Sequence, residues 1–192
     1  MKRFLTILMA GGLAAALAAQ TEKDPREGAG GVIFGPGFAF VMGAPENWIF
    51  DSERAPSIGA RVVIYPAGTD LNHTQVIIHA NALPLNGSTL QEWIEQDIAN
   101  LMEEFQGIVV NKSKNLTTAD TLTAVVREFE PAESRYGLYE RIAYIDIGEN
   151  VAIISLSAQN KKAYDESIEA FEYVVTEFRK VDKQIILKEQ PN

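Results

Sequence analysis

The 192-residue chain has no cysteine and only two histidines, His73 and His79. Without a thiol there are no disulfides, thiolate zinc sites, iron–sulfur clusters or cysteine nucleophiles. A lipid anchor on an N-terminal cysteine is excluded for the same reason. Two imidazoles cannot build a three-histidine metal centre within one chain, while carboxylate chemistry stays open. Basic residues are also scarce, 17 Lys and Arg against 26 Asp and Glu, which gives a formal charge of −9. An acidic protein is repelled by phosphate backbones and anionic lipid surfaces, which argues against a nucleic-acid partner. The apolar run from Phe4 to Leu17 falls short of the roughly 20 residues that span hydrocarbon, which argues against an integral membrane anchor.

What is present describes one water-soluble globular domain, 46% hydrophobic and 22% charged. Lys2 and Arg3 precede the apolar run, and Ala16-Leu17-Ala18 places small residues where a signal peptidase inspects them. Residues 1–18 read as a cleaved signal peptide, so a periplasmic or extracellular location is expected. Cleavage removes Lys2 and Arg3 and no acid, leaving a mature formal charge of −11. Four N-x-S/T matches, at Asn72, Asn86, Asn111 and Asn115, matter only in a host that glycosylates exported proteins.

Residues 19–36 are polar and then glycine-rich, and read as a flexible leader. A phosphate-cradling loop is the alternative, but no Gly-Lys-Ser/Thr follows and the G-x-G-x-x-G spacing fails at Ile33. Alternating Phe38, Phe40 and Met42 then open a strand, and Pro45-Glu46-Asn47-Trp48 turns into a second extended piece. Strands are expected at Val62–Tyr65 and Gln75–Asn81. Ser88 with Gln91 three residues later forms a capping box for a helix reaching Gly107. Its apolar stripe is Leu90, Trp93, Ile94, Ile98, Leu101, Met102 and Phe105, and its opposite side carries Glu92, Glu95, Asp97, Glu103 and Glu104.

Four β-prone segments follow, Ile108–Leu116, Asp120–Glu130, Leu138–Ile147 and Asn150–Ala158, the last two joined as a hairpin by Gly148-Glu149-Asn150. A helix over Lys161–Val181 carries Tyr164, Ile168, Phe171, Val175 and Phe178 on one face, and residues 182–192 form a tail. Consecutive runs of strands with short turns point to an antiparallel α+β domain over residues 37–181. Such a chain buries about 70% of its unfolded surface and needs no disulfide.

These landmarks resemble the PsbP-like fold, shared by PsbP of photosystem II, Mog-type Ran-binding proteins and bacterial exported proteins of the DcrB and LpqN kind. The resemblance covers residues 38–178. It is carried by the aromatic first strand (Phe38, Phe40), the Pro-x-x-Trp step (Pro45, Trp48), the Thr-Leu-x-x-Trp helix opening (Thr89, Leu90, Trp93) and the terminal helix ending in Phe178. It implies a central antiparallel sheet with helices on both sides, and a binding or assembly role without a shared active site.

Candidate chemistry is sparse. Trp48 and Trp93 stand where apolar side chains fill a core. His79 shares a strand face with Ile77 and Asn81. His73, with Asp70 and Asn72 nearby, is the best local cluster for a metal or an acid–base pair, but it lacks the spacing of a calcium loop. No Gly-x-Ser-x-Gly is present. Arg127, Glu128, Glu140 and Arg141 fall on two strands and are candidates for cross-strand ion pairs. The expectation is an exported non-enzymatic binding protein, with no metal and no cofactor, whose acidic helix side meets a protein partner. The alternative is an exported hydrolase or metal-dependent enzyme using His73 or His79 with loop carboxylates.

Overall fold

Period-two alternation of apolar side chains sets most of the strands, and three long stretches of it meet in one sheet. The computed structural model describes residues 23–105, 107–131 and 137–181. Strands β3 (Trp48–Asp51), β4 (Val62–Pro66), β5 (Val76–Pro84), β6 (Val109–Lys112), β7 (Leu116–Thr117), β8 (Thr123–Glu130), β9 (Tyr139–Asp146) and β10 (Asn150–Ala158) form an eight-stranded sheet. Its order is β3-β4-β5-β10-β9-β8-β6, with β7 also on β8 and every pair antiparallel. A smaller sheet joins β1 (Gly30–Gly35), β2 (Phe38–Gly43) and β11 (Arg179–Lys180) in the order β1-β2-β11.

The helices are α1 (Leu90–Glu104), α2 (Lys161–Glu166) and α3 (Ile168–Thr176). Ile94 of α1 clusters with Ile142 and Tyr144 of β9, with Trp93, Ile98 and Leu101 packed beside it. The alternate residues of β9, Ala143 and Ile145, belong to another cluster with Phe171, Val174 and Val175 of α3 and Phe40 and Met42 of β2. Phe40 stacks on Phe178, ring centroids 4.9 Å apart, and both are fully buried. Burying one such ring stabilises by about 1.5–3 kcal/mol relative to leaving it in water. A third cluster, Ile49, Ala55, Val63 and Tyr65, lies under the 3-10 turn Ala55–Ile58.

The antiparallel α+β reading holds, and the β9–β10 hairpin forms at the expected turn. Several boundaries move. Residues 30–35 of the expected leader form β1 instead, paired with β2 along its whole length. Upstream, Gly28 N–H donates to Trp48 C=O and Arg26 binds Asp51, so the peptide is fastened from Arg26 onward. The helix box is Thr89 with Glu92, one residue later than Ser88 with Gln91. Asn86 and Gly87 both adopt positive φ, and Ser88 N–H closes that turn on Leu85 C=O, so Ser88 serves the turn and leaves the cap to Thr89. The terminal helix breaks at Ser167, where the backbone sits at φ −108°, ψ 0°, and stops at Thr176, after which Arg179–Lys180 pairs with β2. The expected signal peptide and the tail from residue 182 lie outside the described residues.

Candidate functional site

The sheet face that receives α1 is apolar under the helix and under the 3-10 turn, and polar between them. Register places His79 of β5 beside Ser155 of β10, and Ser157 of β10 beside Glu140 of β9. Ser157 Oγ donates to Glu140 Oε1 at 2.6 Å, and His79 Nε2 lies 3.5 Å from Ser157 Oγ. Ser157 is buried, whereas His79 and Glu140 are partly buried. Burial pushes the His79 imidazole down, favouring its neutral form. Burial also pushes the Glu140 carboxyl up, against the opposing hydrogen bond from Ser157.

Serine, histidine and glutamate thus meet, but in an order unlike that of an acyl-transfer site. Nucleophile activation needs the imidazole to take the serine proton while an acid orients the second ring nitrogen. Here the serine proton is bonded to the acid. Ser157 also borders an open cleft of about 190 Å³ whose walls include Ser57, Ile58, Leu71, Thr74 and Ile77. That is smaller than the roughly 300–1,000 Å³ of ordinary small-molecule pockets.

Next along this face, Tyr144 O–H donates to Asp97 of α1 at 2.7 Å, and Trp93 tilts against the Tyr144 ring at 6.1 Å. Asp97 is therefore partly buried and hydrogen-bonded, which corrects its assignment to the solvated side of the helix. Burial raises the Asp97 carboxyl, and burial together with the neighbouring acid raises the Tyr144 phenol. Of the remaining acids, Glu92 closes the capping box, while Glu95, Glu103 and Glu104 face solvent.

Two further ionic centres are structural. Asp51, buried at the end of β3, accepts from Arg26 Nη1 at 2.7 Å, Tyr65 O–H at 3.2 Å and the N–H groups of Glu53 and Arg54. Buried Arg141 reaches Glu128 at 3.5 Å and Glu172 at 3.1 Å, and its guanidinium lies over the Phe171 ring. Of the expected cross-strand pairs, Glu128 with Arg141 forms. Arg127 instead donates to the Val126 carbonyl, and Glu140 takes Ser157.

His73 stands well exposed, 3.6 Å from Asp70, whose carboxylate is held by Arg54 at 3.1 Å. Arg54 keeps that carboxyl below its ordinary value. The structure leaves His73 and His79 in separate settings, one in a loop and one in a strand. Both tryptophans are partly buried against the core. Asn72, Asn86, Asn111 and Asn115 are all exposed. Among the described residues no group of three or more His, Asp or Glu is placed to hold a metal, and no helix is long and apolar enough to cross a membrane. Ser157 and Glu140 were not singled out together from the sequence, because their meeting depends on the β9–β10 register.

An antiparallel α+β domain closed by a terminal helix is the class these observations define. The chain has a PsbP-like fold. It is similar to the cyanobacterial PsbP (CyanoP) of Synechocystis sp. PCC 6803, with 12% identity, a TM-score of 0.53, and coverage of 91% of this chain and 99% of that one. It also matches PA94, a protein of unknown function from Pseudomonas aeruginosa, at 13% identity and TM-score 0.43, covering 86% of this chain and 99% of that one. A Bacteroides thetaiotaomicron protein matches at 14% identity and TM-score 0.46, covering 82% of this chain and 50% of that one. No protein-family model and no curated protein matches the sequence.

Proposed function

We propose that the protein is an exported, non-enzymatic binding or assembly-support protein whose α1 surface receives a basic protein partner. The sheet carries helices on both faces, a reading supported by the separate packing of Ile142 and Tyr144 with α1 and of Ala143 and Ile145 with α3. The observation that carries the functional reading is uncompensated acid. Glu95, Glu103 and Glu104 stand exposed on a helix without a Lys or Arg, and none makes an ion pair among the described residues. Exposed acids of this kind steer association with a positive surface and set its salt dependence. The PsbP-like fold is compatible with such a role.

The alternative, a hydrolase using His79, draws on its proximity to Ser157 and Glu140. One comparison separates the two readings. Pull-downs from the native envelope are run with the wild-type protein, with Glu95→Lys/Glu103→Lys, and with His73→Ala/His79→Ala. Loss of retained partners in the charge variant alone, weakening further with salt, supports the binding reading. Loss of function in the histidine variant alone, with an unchanged melt, favours the enzyme, since a general acid–base residue contributes about 100-fold or more in rate.

A further inference from the structure

β6 ends the large sheet with β8 as its one neighbour on that path. Ser113 N–H donates to Val126 C=O at 3.3 Å, and the register continues through Asn111↔Glu128 and Val109↔Glu130. Bonded and non-bonded residues alternate along an antiparallel pair, so Val109 and Asn111 spend their backbone groups on β8. Val110 and Lys112 turn theirs to the outer edge, where no strand among the described residues pairs with them. This stretch of the chain exposes apolar side chains, Met102 at 51% and Phe105 at 45% near the end of α1 and Val109 at 52% in β6. The stretch is also charged in a polarised way. Glu103 and Glu104 lie exposed before the start of β6, Lys112 and Lys114 lie exposed at and beyond its end, and none of the four makes an ion pair among the described residues.

We propose that the partner for this edge is a second copy of the chain, the two β6 strands pairing antiparallel about a two-fold axis. Such an axis sets the beginning of each strand beside the end of the other, so the acids of one copy meet the lysines of its partner twice over. Lysines on an edge ordinarily repel a foreign strand. A copy of this chain brings the acids that neutralise them, which makes the edge selective for itself. The backbone groups of Val110 and Lys112 then gain partners, as in strand addition to a sheet edge. This inference rests on reading the α1 acids as a docking surface and goes further by naming what docks on their C-terminal end.

The experiment is sedimentation of the full chain, up to about 100 µM, the range where weak self-association shows. Wild-type protein should dimerise, with affinity falling as salt rises. Lys112→Glu/Lys114→Glu and Glu103→Lys/Glu104→Lys should each weaken the dimer about tenfold or more, because like charges then meet across the axis. Mixing the two variants should restore a heterodimer, since each then supplies what the other lacks. Lys112→Pro, which removes an edge-facing N–H and no ladder bond, should also dissociate it, whereas Glu95→Lys should not. A monomeric wild-type protein, or charge variants that fail to complement on mixing, would overturn the proposal. If that happens while Glu95→Lys/Glu103→Lys still loses envelope partners, the docking surface stands and the second copy does not.

Discussion

Replacing Phe171 with alanine tests how the α3 side of the sheet is held. The ring is fully buried among Phe40, Phe178 and the β9–β10 core, and it supports the guanidinium of Arg141 with 5.7 Å between cation and ring centre. Deleting a buried phenylalanine costs about 3–5 kcal/mol from lost transfer and the cavity left behind. The stacking lost by Arg141 contributes about 0.5–2 kcal/mol more. Arg141 keeps its ion pairs with Glu128 and Glu172, while its buried Nε has no hydrogen-bond partner among the described residues. The expected loss is thus near 5 kcal/mol, a large share of the roughly 5–15 kcal/mol of a whole domain. At about 2–4 °C per kcal/mol for a chain of this size, Tm should fall by about 10–20 °C. Urea melts with a common slope measure it directly. Phe171→Leu, which keeps most of the volume and drops the ring, should cost about 1.5 kcal/mol. Trp93→Ala should cost less than Phe171→Ala, because Trp93 is partly exposed. A Phe171→Ala loss under about 1 kcal/mol, or equal losses for Ala and Leu, would refute this account of the core.

Three predictions concern ionisation and processing. Burial raises the Glu140 carboxyl above its ordinary 4.5, so the folded state binds that proton more tightly and loses stability as pH rises from 4.5 through the raised value. Glu140→Gln should remove that loss, its advantage over wild type growing with pH in a series of urea melts, and a constant difference would contradict the assignment. His79 has the opposite sign. Its imidazole is pushed below 6.5, so stability falls as pH drops below 6.5, and His79→Gln should flatten that limb alone. Finally, intact-mass analysis of exported protein should find a chain starting near Ala19, and recovery of the whole 21.1 kDa chain from the membrane fraction would contradict cleavage.

Much of the sheet is legible in the sequence because alternation survives wherever one strand face meets the core, as at Phe38, Phe40 and Met42. β1 escapes that test. Its Val32-Ile33-Phe34 lies between glycines, and what holds it is pairing with β2, a long-range property that local composition does not carry. Asp97 could have been found, since it sits three residues after Ile94 and four before Leu101, within the stripe that α1 buries. The capping box was ambiguous because Ser88-Gln91 and Thr89-Glu92 overlap, and the positive φ of Asn86 and Gly87 decided between them. His79 was placed on its face by parity. Its neighbours Ser157 and Glu140 came from strands far along the chain, and only register brings them together.

The small sheet has a consequence for the order in which the protein can be made. β2 gains its second neighbour only from Arg179 and Lys180. The Lys180 N–H is fixed by Asp120 at 2.8 Å, and Val181 N–H closes on Ala39 C=O at 2.9 Å. Phe40 likewise waits for Phe178. Synthesis runs N-terminus first, so β2 stays half-partnered until Phe178, Arg179 and Lys180 have been made, and pairing across so long a loop is slow. The small sheet is therefore a part of the fold that can close only late, after the strands of the large sheet are all available to pair.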